Sequence, residues 1–305
     1  MQIIIAQEAT MDRLDAMKLF LRVAELGSFA AVAQQLGVAR SVVTRQVAAL
    51  EAHLGTRLML RSTRRLSLTS AGSAYLEKCR LILNLVEAAE TDVADERVAP
   101  RGNIRLSLPL SFGLKRLAPL LLEFSQRHPE VGLDMDYTDR RVNLIEEGID
   151  LAIRITRRLE GGDVARRIGA GGMQVVAAPA YLARHGRPLH PSELIDHECL
   201  GYTGGGTVQS WQFLVAGKLQ GFAVRSRIQA NNGEVLGEAA AQGLGISLQP
   251  DFIVEGFVAA GRVEPILTEF PVPGFGIHAI LPSNRQVPHR VRVLMDFLAA
   301  RIGSG

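Results

Sequence analysis

Arginines and hydroxyls cluster twice near the start of the chain. Arg40, Ser41, Thr44 and Arg45 fall within six positions, and Arg61, Thr63, Arg64 and Arg65 within five. An arginine forks onto guanine O6 and N7 or onto a phosphate, and hydroxyls serve base edges and phosphates alike. The chemistry open to these groups is recognition of a polyanion. A second group is dispersed: Ser111, Phe112, Arg154, Thr203, Asn231 and Asn232. Ser111, Arg154 and Thr203 lie at or just beyond the end of strand-like runs, where open α/β sheets bind small ligands, and Asn231 and Asn232 precede a helix. Ser111 stands at a helix start, whose free N–H groups favour a carboxylate or phosphate. Local roles compete with ligand binding. Ser111 and Asn232 read equally well as helix caps, and Arg154 as half of an ion pair.

Charge supports the first assignment by its distribution. The net charge is only +3. From Arg13 to Arg80 there are eleven Lys or Arg against four Asp or Glu, and from Glu87 to Glu96 five acids and no base. The basic excess sits in the first eighty residues, which suits a polyanion partner; charge alone leaves a solvated basic face as an equal reading. With 47% hydrophobic and 21% charged residues the composition is that of a globular protein. Two cysteines, Cys79 and Cys199, exclude a disulfide scaffold and fit a reducing compartment. No HExxH, CxxC, Walker A or G-x-S-x-G pattern is present, so no metal, cofactor or catalytic residue is assigned. Apolar runs are too short to span a membrane. The first ten residues read as an extension, non-native or disordered, ahead of a start at Met11, and the location expected is the cytoplasm.

These groups need elements to hold them. Leu14, Met17, Phe20, Leu21 and Ala24 predict a helix stopped by Gly27. Ser28 is placed to cap a second helix with Phe29, Val32, Ala33 and Leu36 inward, ended by Gly37. A third helix from about Ala39 carries the stripe Val43, Val47, Leu50 and Leu54 and stops at Gly55. Its other face holds Arg40, Ser41, Thr44 and Arg45. Two short helices about a glycine turn form a helix-turn-helix pattern. Leu58–Leu60 and the run after Arg65 predict a basic hairpin, a wing whose arginines lie along a phosphate backbone or minor groove. Thr69 or Ser70 then caps a long helix to about Glu96. Its stripe Leu76, Cys79, Leu83, Val86, Glu90 and Val93 predicts pairing with a second chain.

The run SFAAVAQQLGVARSVVTRQVAALEAHLGTRLMLRSTRRLSLTSAGSAYL (28–76) closely resembles the DNA-binding domain of LysR-type transcriptional regulators. The matching features include T-R-Q-V-x-x-L-E (44–51), L-G-x-R-L (54–58) and L-T-x-A-G (68–72). Ala39 and Ser41 depart from the family's usual Ser and Pro. The resemblance places Ser28 with Arg40, Ser41, Thr44, Arg45, Arg61, Thr63, Arg64 and Arg65 as DNA-contacting residues.

Beyond Asn103 strands and helices alternate. Strands are expected at 104–110, 131–137, 150–155, 173–179, 228–231, 245–249 and 277–281, with one through Cys199 and Leu200 and a hairpin from Trp211 to Val224 around Gly217-Lys218. Helices are expected at 112–127, 141–147, 234–242, 251–260 and 288–302, with one through Tyr181. Such alternation means α/β folding with largely parallel sheets. GNIRLSLPLSFG (102–113), EEGIDLAIRI (146–155), ANNGEVL (230–236) and GLGISLQP (243–250) resemble the effector-binding domain of the same family, itself similar to periplasmic solute-binding proteins. The resemblance implies an all-α winged helix-turn-helix (11–69), a linker or dimerisation helix (70–97) and a two-lobed α/β effector domain (98–305). Lobe I spans about 102–170 with 277–302, and lobe II about 171–276, joined by crossovers near Gly169–Met173 and Gly274–His278. It also implies an interrupted dyad operator in double-stranded DNA, a homo-oligomer up to a tetramer, and a small effector between the lobes. Serine, threonine, asparagine and arginine lining would suit a small carboxylate. RNA polymerase stands as an open further partner. The alternative reading is a small-molecule-binding protein whose N-terminal domain serves oligomerisation; an enzyme would need a pair of titrating groups that the sequence does not offer.

Overall fold

The structure is a computed structural model that describes residues 12–61, 66–93, 99–157, 159, 164–203, 210–282 and 287–303. The expected extension at residues 1–10 lies outside them. Two compact units divide the chain, one built on residues up to Val98 and one on residues from Ala99.

The first unit runs α1 (Arg13–Leu26), α2 (Phe29–Leu36), α3 (Arg40–Leu54), β1 (Met59–Arg61), β2 (Leu66–Leu68) and α4 (Ser70–Val93). Gly27, Gly37 and Gly55 end the first three helices with φ of 61°, 65° and 66°, a conformation that only glycine adopts without strain. The core comprises Ala16, Phe20, Val23, Phe29, Val32, Ala33, Val43, Val47, Leu50, Leu58, Met59, Leu76 and Cys79. Three expectations change here. Leu36 and Leu54, read as inward, are 50% and 36% exposed, because each is the last residue of its helix and has turned past the core. Leu76 and Cys79 lie in this core and are unavailable to a partner chain. Of the apolar residues farther along α4, Ile82 and Leu85 are exposed.

The wing is tied at its base. β1 and β2 are antiparallel, with Met59 opposite Leu68 and Arg61 opposite Leu66. Glu51 Oε1, from α3, accepts the N–H of Leu58 at 2.8 Å and of Met59 at 3.0 Å. Thr69 Oγ1 donates to the Arg57 carbonyl at 2.8 Å and accepts the Gly72 N–H at 2.8 Å, so it caps α4. Gly72 then lies against the Leu58 carbonyl: a Cβ there would stand 1.9 Å from that oxygen.

The second unit carries two five-stranded sheets. Its strands and helices are β3 (Gly102–Leu108), α5 (Leu110–Phe112), a π turn (Gly113–Leu117), α6 (Ala118–Arg127), β4 (Val131–Tyr137), β5 (Leu151–Thr156), β6 (Val164–Gly171), β7 (Met173–Ala177), α7 (Pro179–His185), β8 (Glu198–Tyr202), β9 (Ser210–Val215), β10 (Lys218–Ala223), β11 (Arg225–Ala230), α8 (Gly233–Ala241), β12 (Ile246–Pro250), α9 (Asp251–Ala259), β13 (Glu264–Ile266), β14 (Phe275–Leu281) and α10 (His289–Ile302). The first sheet is ordered β4-β3-β5-β14-β6 and the second β11-β8-β12-β7-β13. Both are mixed, not largely parallel: β14 runs antiparallel to β5 and β6, and β7 antiparallel to β12 and β13. The chain leaves the first sheet at Gly171–Met173 and returns after β13, so the strands at each crossing must reverse direction. The helix expected at 141–147 is a set of turns, closed by Ile149 N–H on the Leu144 carbonyl at 2.8 Å. In the β9–β10 hairpin, Ala216 and Gly217 occupy the turn, both at positive φ (48° and 74°), one residue earlier than expected. Trp211 and Phe213 are core residues.

Gly72→Ala is expected to destabilise the first unit by about 1–3 kcal/mol, the usual range for overpacking. Gly256→Ala, where an added Cβ meets nothing within 4 Å, is the control and is expected to be neutral or stabilising. Urea unfolding of the full chain measures both; a Gly72→Ala midpoint equal to wild type would refute the close-approach account.

Candidate functional site

Two sites emerge, one in each unit. In the first, α3 buries Val43, Val47 and Leu50 completely, which forces its opposite face outward. Arg40, Ser41 and Arg45 are exposed on that face and Thr44 is half-buried. Among the described residues neither Arg40 nor Arg45 is held in an ion pair. Ala39 precedes α3 and gives no side-chain cap. Ser28 caps α2, its hydroxyl accepting the Ala31 N–H at 3.2 Å. The wing strands are present on both sides of the expected tip. Thr63, Arg64 and Arg65 lie outside the described residues, and for Arg61 only the strand position is described. The geometry is a helix face of unpaired cations and hydroxyls beside a hairpin, the form that major-groove reading uses.

In the second unit the strand ends converge between the two sheets. Ser111 and Phe112 follow β3, Thr203 follows β8, and Asn231 and Asn232 follow β11. Asn232 caps α8, accepting the Glu234 N–H at 2.9 Å. Its Nδ2 also donates across to Ser111 Oγ at 3.4 Å. The capping and cleft-facing readings of Asn232 therefore coexist. Thr203 and Asn231 are exposed, and the Thr203 N–H donates to the Ala230 carbonyl at 2.9 Å. Phe112 is buried and meets Phe252 edge-on, centroids 5.1 Å apart. Arg154 is not brought to this group by its described bonds. It donates to the carbonyls of Ser107 (3.1 Å) and Ile153 (2.8 Å) and to Ser107 Oγ (2.8 Å), all within the first sheet.

Three residues here escaped the sequence reading. Asp139, just past β4, accepts the Leu110 N–H at 3.0 Å. The start of the helical run beside Ser111 thus already holds a carboxylate. Tyr202 ends β8; burial pushes its hydroxyl pKa up, and the negative charge of Asp139 adds to the effect. Lys115 lies in the π turn 3.1 Å from Glu234. The strand-end rule that found Thr203 applies equally to Asp139 and Tyr202. Behind these residues Gln249 donates to Ser247 Oγ at 3.0 Å, both side chains buried.

The arrangement can hold a small molecule by hydroxyl, amide and carboxylate groups. Among the described residues no group of three His, Cys, Asp or Glu could hold a metal ion. Burial pushes the thiols of Cys79 and Cys199 up to about 11 and about 12, so both stay protonated at neutral pH. No described helix is long and apolar enough to cross a membrane.

Comparison with known proteins identifies the family to which both units belong. Residues 14–73 match the bacterial regulatory helix-turn-helix protein, lysR family, and residues 97–303 match the LysR substrate binding domain. The HTH-type transcriptional regulator CrgA of Neisseria meningitidis serogroup C (strain 8013) is 35% identical over 293 residues, covering 95% of this chain and 97% of that protein. An HTH-type transcriptional regulator of Xanthomonas campestris pv. campestris (strain 8004) is 36% identical over 288 residues, covering 93% of this chain and 84% of the relative. The solved structure of CrgA, a LysR-type transcriptional regulator from Neisseria meningitidis, superposes with a TM-score of 0.60 at 34% identity, covering 95% of this chain and 98% of that one. The chain therefore belongs to the LysR family: it is a DNA-binding transcriptional regulator with an effector-binding domain, and not an enzyme.

Proposed function

We propose that Arg40, Ser41, Thr44 and Arg45 enter the major groove, while Arg61, Thr63, Arg64 and Arg65 hold the backbone or minor groove and Ser28 contacts DNA at the start of α2. The observation that carries this reading is the outward face of α3, cationic and unpaired opposite a fully buried stripe. Residues 11–69 form the DNA reader, 70–97 the linker and 98–305 the effector domain. Its lobes are about 102–170 with 277–302, and about 171–276. The helix α4 pairs two chains, a role supported by Ile82 and Leu85, which stand exposed beyond the core. A two-fold axis through that pair demands an interrupted dyad operator. Effector domains pair separately to give a tetramer, which works in the cytoplasm with RNA polymerase as its target.

A small effector lies between the lobes against Ser111, Phe112, Thr203, Asn231 and Asn232. Arg154 acts there by shaping the end of the first sheet. The effector is a small polar molecule; a carboxylate on it would share the helix start with Asp139. Binding biases one lobe arrangement, and only a difference in affinity between arrangements can change the DNA-bound state.

A gel-shift titration on the DNA flanking the gene, at two salt concentrations and against a scrambled duplex, tests DNA recognition. Specific binding should exceed the scramble by roughly a thousandfold or more; equal, salt-collapsing binding to both would reject sequence reading. Arg45→Ala should cost about 1–3 kcal/mol, unequally across operator variants, whereas Arg64→Ala should weaken all sequences alike and reduce the salt slope by about 1. Identical behaviour of the two would end that division of roles. Ser111→Ala should keep operator affinity and abolish the response of a reporter to a metabolite extract; a retained response removes Ser111 from the effector site.

A further inference from the structure

The two lobes are linked covalently by only two crossovers, yet their helices are also fastened to each other by one short segment. Lys115 and Arg116 both lie in the π turn of the first lobe, Gly113–Leu117. A Cβ on Gly113 would stand 2.8 Å from the Tyr137 ring, so the turn is pressed against β4. From it Lys115 Nζ reaches the second lobe at three points. It stands 3.1 Å from Glu234 Oε1 on α8 and donates to the carbonyls of Phe252 (3.3 Å) and Ile253 (3.4 Å) in the first turn of α9. Arg116 pairs with Glu255, also on α9. Phe112 adds its edge contact with Phe252. Glu234 Oε1 is closed off from solvent and accepts no hydrogen bond, so the ammonium at 3.1 Å is the charge that balances it there. Two of the ammonium's three donors serve the α9 carbonyls.

The clamp stands beside the cross-cleft contact. Lys115 follows Ser111 by one helical turn, and Glu234 follows Asn232 by two residues. We infer that Lys115 is a positioning residue that holds the lobes at the separation where Ser111 meets Asn232, so that lobe closure is set by the chain itself. An isolated, half-exposed ion pair holds little. Here the pair is reinforced by two carbonyl acceptors, a neighbouring ion pair and an aromatic contact, all on the same pair of helices. A cleft already closed removes part of the ordering cost that an effector would otherwise meet. That last consequence rests on the cleft being the effector site; the geometric inference does not.

Distance measurement between spin labels tests it without any ligand. Cysteines are introduced at Gln126 on α6 and Ala183 on α7, both exposed, one in each lobe. Cys79 and Cys199 are buried, which leaves labelling to the new thiols. Labelled full-length chain is diluted into unlabelled chain so that each assembly carries one pair. The wild-type protein should give a single narrow distance. Lys115→Met keeps the aliphatic arm and removes the charge; it should raise a longer-distance population several-fold with an unchanged far-UV spectrum. Glu234→Gln should raise it less, and the double substitution no more than Lys115→Met alone. A wild-type distribution in Lys115→Met, or an additive double variant, overturns the proposal. Should Lys115→Met fail to fold, Glu234→Gln alone decides by the same measure. Failure of the effector-cleft reading would leave these distances unchanged.

Discussion

The Leu58 peptide is the joint on which the DNA-reading unit is built. Its N–H is held by the Glu51 carboxylate at the end of α3, and its carbonyl accepts the Thr69 N–H at 3.0 Å. Its side chain is 1% exposed in the core beneath. Gly72 brings the first turn of α4 onto the same carbonyl, where any side chain would collide. Three stretches that look unrelated along the chain, T-R-Q-V-x-x-L-E, L-G-x-R-L and L-T-x-A-G, meet at this one residue. A buried peptide group left unpaired would cost about 1–3 kcal/mol. Satisfying it from two elements at once fixes the wing at a set angle to α3. The outward face of α3 and the wing strands are thus held to each other through one residue.

In the second unit the comparable constraint is the double crossing. Gly172 and Asp251 exchange two bonds: Asp251 N–H to the Gly172 carbonyl at 3.1 Å, and Gly172 N–H to Asp251 Oδ2 at 3.0 Å. Gly274, on the return path, runs so close that a Cβ would stand 2.5 Å from the Gly171 carbonyl. The two crossings are therefore packed on each other. The strand directions follow, since β7 and β14 enter their sheets from the crossing end and run against the parallel strands. That reversal aims the carboxyl ends of β3, β8 and β11 at a common space, which is where Ser111, Thr203 and Asn232 are found.

Local physics made the reader unit legible. Its helices have 3.6-residue stripes, glycine stops and two hydroxyl caps, each a signal within a few residues. The errors there were matters of helix phase and assembly: Leu36 and Leu54 sit at helix ends past the core, and Leu76 and Cys79 belong to a core that a stripe alone cannot distinguish from a dimer seam. The second unit hid more. β6, with the sequence VARRIGAG, has Ile168 as its one buried hydrophobic residue and owes its existence to pairing with β14, more than a hundred residues away. β13 is three residues long and is defined by β7. The segment 141–147 has a helical pattern but forms turns, the Ile149 N–H closing on the Leu144 carbonyl. The approach of Ser111 to Asn232 spans 121 positions. Arg154 stands at a strand end, and its guanidinium donates to the Ser107 carbonyl and hydroxyl, 47 positions earlier in the chain.

The two sites differ in what a ligand must displace. In the first unit the polar groups that shape the fold, Glu51, Thr69 and Ser28, are engaged with backbone, and Arg40 and Arg45 on α3 are exposed outside any ion pair among the described residues. A polyanion laid on such a face replaces water and releases counterions, so its affinity is largely electrostatic. In the cleft the polar groups are engaged with one another: Ser111 with Asn232, Asp139 with the Leu110 N–H, Lys115 with Glu234. An effector must match those bonds before it gains anything, and its net affinity is the difference between two sets of hydrogen bonds. Such a difference is small for most molecules and large for one that fits, which favours selectivity over strength. A molecule that inserts between Ser111 and Asn232 must also alter the spacing they define. On the proposed reading, effector recognition and lobe spacing are linked, because Lys115 fastens the helices that Ser111 and Asn232 bring together.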